Sequence, residues 1–245
     1  MKKIKNVIKF HNRKAWLTKD SPSAPSATGG ILPDWYKKAS RYVQGPDGKD
    51  IIDPMMGGKM PNWKACPAMY DVLTTGYLLK TPCDIEVTIK NGRPKLKMTD
   101  SNFDDFLQER DVLPGFPTPP GFSKYHFAFY SDWSSQVPEG YSTLYVHPLN
   151  RYDLPFIVTN GIIDNDTVFM PGSMPFFIQE GWEGIIPAGT PYSQLIPFKR
   201  EDWSSEILSK SPLQIHKDKS DATRKFRVPG GGVYLKDVWQ RRKYE

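Results

Sequence analysis

The chain has 245 residues, with 33 Lys and Arg against 27 Asp and Glu, for a formal net charge of +6. A hydrophobic content of 38% with 23 Pro and 19 Gly favours short strands joined by many turns over long helices. No apolar run approaches the roughly 20 residues of a membrane helix, and no apolar h-region follows the first lysines, so neither a membrane span nor a signal peptide is expected.

Taken in chain order, residues 1–20 place Ile4, Val7 and Ile8 at helical spacing, while Val-Ile-Lys-Phe also alternates as an edge strand does. Ser21–Gly30 has the small residues, Pro and Gly of a linker. Pro33-Asp34 predicts the start of a helix of about two turns carrying Trp35 and Tyr36. Residues 44–62 read as loop. Beyond Trp63, Pro82–Ile89 alternates as a strand, and Asn91-Gly92 predicts a hairpin turn into Lys95–Met98. Residues 100–124 form a Pro-rich, irregular insert. Tyr125–Tyr130 and Tyr141–His147 are expected to pair, with further strands over 156–163, 174–179 and 192–198. Asp202 predicts a short helix over 201–210, followed by an extended basic tail with Pro229-Gly230-Gly231-Gly232. The organisation expected is an N-terminal arm with linker and short helix (1–62), a mainly β domain of sandwich or barrel type (63–200) and a basic C-terminal arm (201–245).

Charge is unevenly spread. Residues 1–20 and 210–245 together carry about +12, leaving the middle near −6. Oppositely charged tails and body suit docking on an acidic partner or nucleic acid, and equally suit solvated tails. Trp16, Trp35, Tyr36, Trp239, Arg241 and Arg242 are the candidates for such docking, on a protein surface first and through base stacking second. Cys66 and Cys83 have no second Cys or His at metal-ligand spacing, so neither a disulfide framework nor a zinc site is expected; reduced thiols fit a cytoplasmic or virion protein. His11, His126, His147 and His216 are scattered, although His126 and His147 lie on strands expected to pair. Met55, Met56 and Met60 read as adaptable packing in a glycine loop. No Gly-x-Ser-x-Gly, Walker loop or Cys–His pair argues for nucleophilic catalysis.

From Asp71 to Arg200 the order of short motifs resembles the dUTPases and dCTP deaminases. Gly76-Tyr77 resembles that family's Ala-Gly-Tyr-Asp-Leu, with Leu78 where an Asp positions metal and triphosphate; Leu offers no oxygen to Mg2+. His147, Leu149 and Asn150 stand where the family holds phosphate with Arg-Ser-Gly, and they lack the charged fork of Arg. Gly161-Ile162-Ile163-Asp164-Asn165-Asp166 is similar to the hairpin that holds uracil and deoxyribose, and the resemblance gives Asp164 the water-activating role. Thr167 replaces the sugar-stacking Tyr. Gln194 matches the Gln of the fourth motif, and Arg227–Tyr234 shares only basic and glycine character with the family's closing tail.

The resemblance implies a β-clip fold, a distorted barrel or sandwich, in a homotrimer. Asp164, Asp166, Gln194, Gly76 and Tyr77 are its nucleotide-binding candidates, with Asp164 the one catalytic candidate. LPDWYK, GY with CDI, and IPFKRE also resemble uncharacterised proteins of tailed phages and some bacteria. With so many catalytic positions replaced, the expectation is a non-catalytic assembly protein with protein partners, a virion component among the options, and without cofactor. The alternative is a divergent deoxynucleotide hydrolase or nucleotide-binding protein, for which Mg2+ would be needed. Nucleic-acid binding through the basic arms is a third reading, marked by affinity that falls steeply with salt.

Overall fold

The computed structural model describes residues 6–54, 57–112, 114–168, 172–226 and 234–245, the side chains of 223–226 excepted. The Arg227–Gly232 run, Met55-Met56 and Ile4 lie outside the described residues. Two units emerge from the chain contacts: residues up to Gly30 with Gly76–Arg200 and Tyr244–Glu245, and Ile31–Thr75 with Glu201–Lys243. The sequence-based boundary at 200/201 falls where these units divide, whereas the one at 62/63 does not.

Among the described residues the first unit holds fourteen strands: β1 Lys9–Asn12, β2 Ser26–Ala27, β3 Tyr77–Lys80, β4 Ile85–Lys90, β5 Arg93–Met98, β6 Leu107–Arg110, β7 Phe122–Tyr130, β8 Trp133–Gln136, β9 Tyr141–Val146, β10 Phe156–Val158, β11 Gly161–Ile163, β12 Ser173–Gln179, β13 Gly184–Ile186 and β14 Pro191–Lys199. They make four antiparallel sheets, ordered β1-β8, β10-β12-β7-β6, β11-β9-β14-β3-β2 and β13-β4-β5. The architecture is mainly β, and none of the sheets closes on itself among the described residues.

Local chemistry explains much of this. Asn91 and Gly92 both hold positive φ, 52° and 71°, as the two central residues of a hairpin turn that carries β4 into β5. Of the two patterns in the first twenty residues, strand wins: β1 pairs with β8, Lys9 opposite Gln136. β7 is central in its sheet and buried at Phe127, Ala128 and Phe129 in succession, so both of its faces are covered. Around it the rings of Phe106, Phe156, Phe176 and Tyr192 surround Phe129, with Phe129 and Phe176 stacked at 3.8 Å.

Several expectations are corrected. β7 and β9 are not partners; β7 lies between β12 and β6, and β9 between β14 and β11. The reason is that the chain spends β8 on β1 instead of turning β7 directly onto β9. The insert at 100–124 is ordered at its start: a 3-10 stretch Ser101–Phe106 buries Phe103 and Phe106, and β6 follows.

In the second unit, helices α1 (Asp34–Lys38), α2 (Pro67–Thr74) and α3 (Pro212–Phe226) are joined by irregular chain. α1 is shorter than two turns because the chain leaves helical geometry at Ala39. Residues 44–62, read as loop, fold back on themselves through the bridges Tyr42–Pro61, Gln44–Asp50 and Ile52–Lys59. No helix forms over 201–210. It starts at Pro212 instead, where the Ser211 hydroxyl accepts from Gln214 N at 3.3 Å and Pro occupies the first turn without losing a helical hydrogen bond. The tail after Asp202 is therefore partly helical rather than extended.

Candidate functional site

The Asp-Asn-Asp turn after β11 is built from outside inward. Asn165, in the middle, is buried. Its Nδ2 donates to the Ser135 carbonyl at 3.0 Å and the Ser135 hydroxyl at 2.7 Å, while its Oδ1 accepts from the Thr143 hydroxyl at 2.9 Å. Amide and hydroxyl groups thus bond β8, β9 and the turn through a residue whose every side-chain group is used.

The two carboxylates flank that anchor and differ. Asp166, its side chain only 3% exposed, accepts from Gly140 N at 3.0 Å, from Thr167 N at 3.1 Å and from the Arg200 guanidinium. The Arg200 hydrogen bond, with the backbone donors, holds its pKa down to about 2. Asp164 is 66% exposed, accepts from the Ser142 hydroxyl at 2.5 Å and lies 3.6 Å from Arg200. Arg200 itself comes from the end of β14, where its Nη1 also donates to the Tyr141 carbonyl at 2.7 Å. One guanidinium therefore ties the end of β14 to the start of β9 and to both acids.

The other nucleotide-binding candidates lie elsewhere on the same sheet. Gln194 is buried on β14, and its Oε1 accepts from Leu149 N at 2.9 Å, fixing the turn after β9. In the β9 register Gln194 faces Val146, whereas Phe198 faces Ser142, the partner of Asp164. Four residues along a strand span about 13 Å, so Gln194 and Asp164 sit at opposite ends of the pair. Gly76 adopts φ +80°, with Thr28 donating to its carbonyl through both N (3.1 Å) and Oγ1 (2.5 Å). The Tyr77 ring meets Phe10 and Tyr244 edge-on, and its hydroxyl donates to the Glu245 carbonyl at 3.3 Å. Gly76, Tyr77 and Gln194 thus lie close together where β3 meets β14, with Asp164 toward the other end of the β9–β14 pair.

The phosphate-motif position is equally committed to structure. The His147 ring lies between two backbone groups, Nε2 3.2 Å from the Arg151 carbonyl and Nδ1 3.4 Å from Val158 N. With Nε2 carrying the proton both contacts are satisfied, and burial pushes the imidazole below its ordinary value. His126 is buried against Phe177 on the sheet of β7, a sheet to which β9 does not belong. Among the described residues no group of three or more His, Cys, Asp and Glu is placed to hold a metal ion.

The docking candidates divide. Trp16 is exposed, with Lys14 5.9 Å from its ring centre. Tyr36 is buried and Trp35 packs edge-on against it. Trp239, Arg241 and Arg242 all engage α2 of their own chain: Trp239 Nε1 donates to Asp71 at 3.0 Å, Arg242 to Asp71 at 3.2 Å, and Arg241 to the Tyr70 hydroxyl at 2.6 Å.

The roles of Arg200, Ser142 and Asn165 in this turn are not legible in the sequence. Nothing in spacing links Arg200 to an acid 34 residues earlier, and an Asn between two Asp reads as part of a solvated turn. No helix among the described residues is long and apolar enough to cross a membrane. No family model and no curated protein matches this chain.

Proposed function

We propose that this protein is a non-catalytic assembly component built on a dUTPase-like β-clip, working as a homo-oligomer inside a larger structure such as a phage virion. The observation that supports this most is how the inherited motif positions are used. Gln194 holds the backbone of Leu149, Asp166 holds Gly140 and Arg200, and Gly76 accepts from Thr28. These groups bond the chain to itself, where a nucleotide hydrolase needs them aimed at a triphosphate and its metal.

The test is turnover. The full chain is expected to release no pyrophosphate from any deoxynucleoside triphosphate in the presence of Mg2+. Release that disappears in Asp164→Ala would overturn the proposal and favour the second reading, a divergent nucleotide hydrolase or binder. That reading draws on one observation, the exposed Asp164 carboxylate beside Arg200 and Ser142.

A further inference from the structure

One cleft in the first unit has none of the nucleotide-binding candidates in its walls. It opens where the turn before β10 meets the end of β12, the edge strand β13 and the turn into β14. Its volume is about 410 Å³, within the roughly 300–1,000 Å³ usual for small-molecule sites.

The polar side of the cleft is neutral and partly unused. Arg151 and Asp153 are its charged lining residues, and they compensate each other. Arg151 donates through Nε and Nη2, each at 2.9 Å, to the two oxygens of the Asp153 carboxylate. This fork fixes both planes, with the guanidinium 14% and the carboxylate 42% exposed. Among the described residues Nη1 of Arg151 and the side-chain amide of exposed Gln179 make no hydrogen bond. The cleft thus offers free donors beside free acceptor lone pairs.

The apolar side is led by Trp182, with Leu154 and Ile185. Trp182 rests against Gly184, close enough that a β-carbon there would come within 3.1 Å of its ring. Tyr152 adds a second ring, 84% exposed.

Chemistry narrows what such a cleft can hold. No surplus cation is present to compensate a phosphate or carboxylate. A purely apolar ligand would strip water from the Gln179 amide and Arg151 Nη1 and give nothing back. A flat ring with C–H groups on its faces and hydroxyls on its rim satisfies both sides. The negative face of an indole attracts the weakly positive C–H groups, and each hydroxyl donates and accepts at once. We infer that this cleft binds a neutral pyranose saccharide, with Trp182 against the sugar ring and Gln179 and the Arg151–Asp153 pair on its hydroxyls. The inference is independent of the assembly reading.

The experiment follows the indole N–H resonances of the full, isotope-labelled chain, which has seven tryptophans. Methyl glycosides of the common hexoses, pentoses and N-acetylhexosamines are added to tens of millimolar, and Trp182→Phe identifies the Trp182 signal. At least one glycoside is expected to move that signal to saturation while the signal of exposed Trp16 stays still. Gln179→Ala and Tyr152→Ala alter exposed side chains, so the fold is kept. Each is expected to raise the Kd about fivefold, the effect of one lost hydrogen bond or contact. Tighter binding of the matching disaccharide would assign the cleft to a glycan chain, and equal binding to a single sugar; both support the inference. A hexose phosphate and a polyproline peptide serve as contrasts. The inference is overturned if no saccharide moves the Trp182 signal, if Trp16 moves with it, or if both variants leave the Kd unchanged. Binding of the phosphate or the peptide alone overturns it as well, in favour of an anion site or a peptide groove.

Discussion

Gly76 lies so close to Leu195 that a β-carbon added to it would stand 2.1 Å from the Leu195 carbonyl oxygen. The obstacle is backbone, which cannot rotate aside, and the residue also holds φ +80°. The Gly76-Tyr77 pair thus marks a place where β3 and β14 begin to pair, next to Thr28. Gly76→Ala is expected to cost about 3 kcal/mol or more, from left-handed strain plus the steric conflict. Urea unfolding of the two proteins measures it, and a loss below 1 kcal/mol would contradict this account of the glycine.

Arg200 and Asp166 give a prediction with a defined pH window. The carboxyl is held down to about 2 from an ordinary 3.8, so its stabilising effect is complete above pH 3.8 and is lost as pH falls toward 2. Arg200→Lys keeps the charge but loses the fork that also reaches Tyr141 and Ser142. In that variant the Asp166 carboxyl resonance should titrate at higher pH by carbon-detected NMR; an unchanged midpoint would remove Arg200 from the explanation.

His147 predicts an acid-side weakness. Its ring is held neutral by burial, below an ordinary 6.5, so the native state binds fewer protons than the unfolded chain. The contribution is complete above pH 6.5 and falls away as pH drops toward the depressed value. His126 shifts in the same direction by burial and adds to the slope. His147→Gln, which keeps a donor and an acceptor but does not titrate, should flatten the dependence of the thermal midpoint between pH 7 and pH 5.

Asp132 runs the other way. It is buried, with Lys14 3.4 Å from Oδ1, and burial raises its pKa in spite of that lysine. A raised carboxyl favours the folded state at low pH, and the advantage is lost as pH rises from 3.8 through the raised value. Asp132→Asn is therefore expected to leave the protein at least as stable at pH 7, because Lys14 keeps Asp105 and the Asn102 carbonyl at 2.6 Å each. A large loss at pH 7 that vanishes in acid would show that the Lys14–Asp132 pair is net stabilising.

Much of the strand content was legible because turn chemistry and alternation are local. Asn91-Gly92 placed one hairpin, and the alternation of Pro82–Ile89 placed the strand before it. Pairing was less legible. Tyr125–Tyr130 and Tyr141–His147 are neighbours in sequence, but which strands share a sheet depends on contacts far along the chain, such as β14 beside β9. Helix position failed at 201–210 because Asp202 and Ser211 are both competent caps, and only Ser211 precedes a Pro that suits a first turn. In the candidate site the Asp-Asn-Asp turn was visible, while its partner Arg200 was not. Gly76 and Asn165 stand where the fold needs particular residues, the first against the Leu195 carbonyl and the second between Ser135 and Thr143.

We propose that the positions resembling dUTPase motifs serve the fold and hold no nucleotide. Thermal shift of the full chain with a panel of deoxynucleoside triphosphates at millimolar concentration with Mg2+, beside Asp164→Ala, tests it most directly. The account predicts no shift with any nucleotide in either protein. A shift confined to one nucleotide and lost in Asp164→Ala would contradict it.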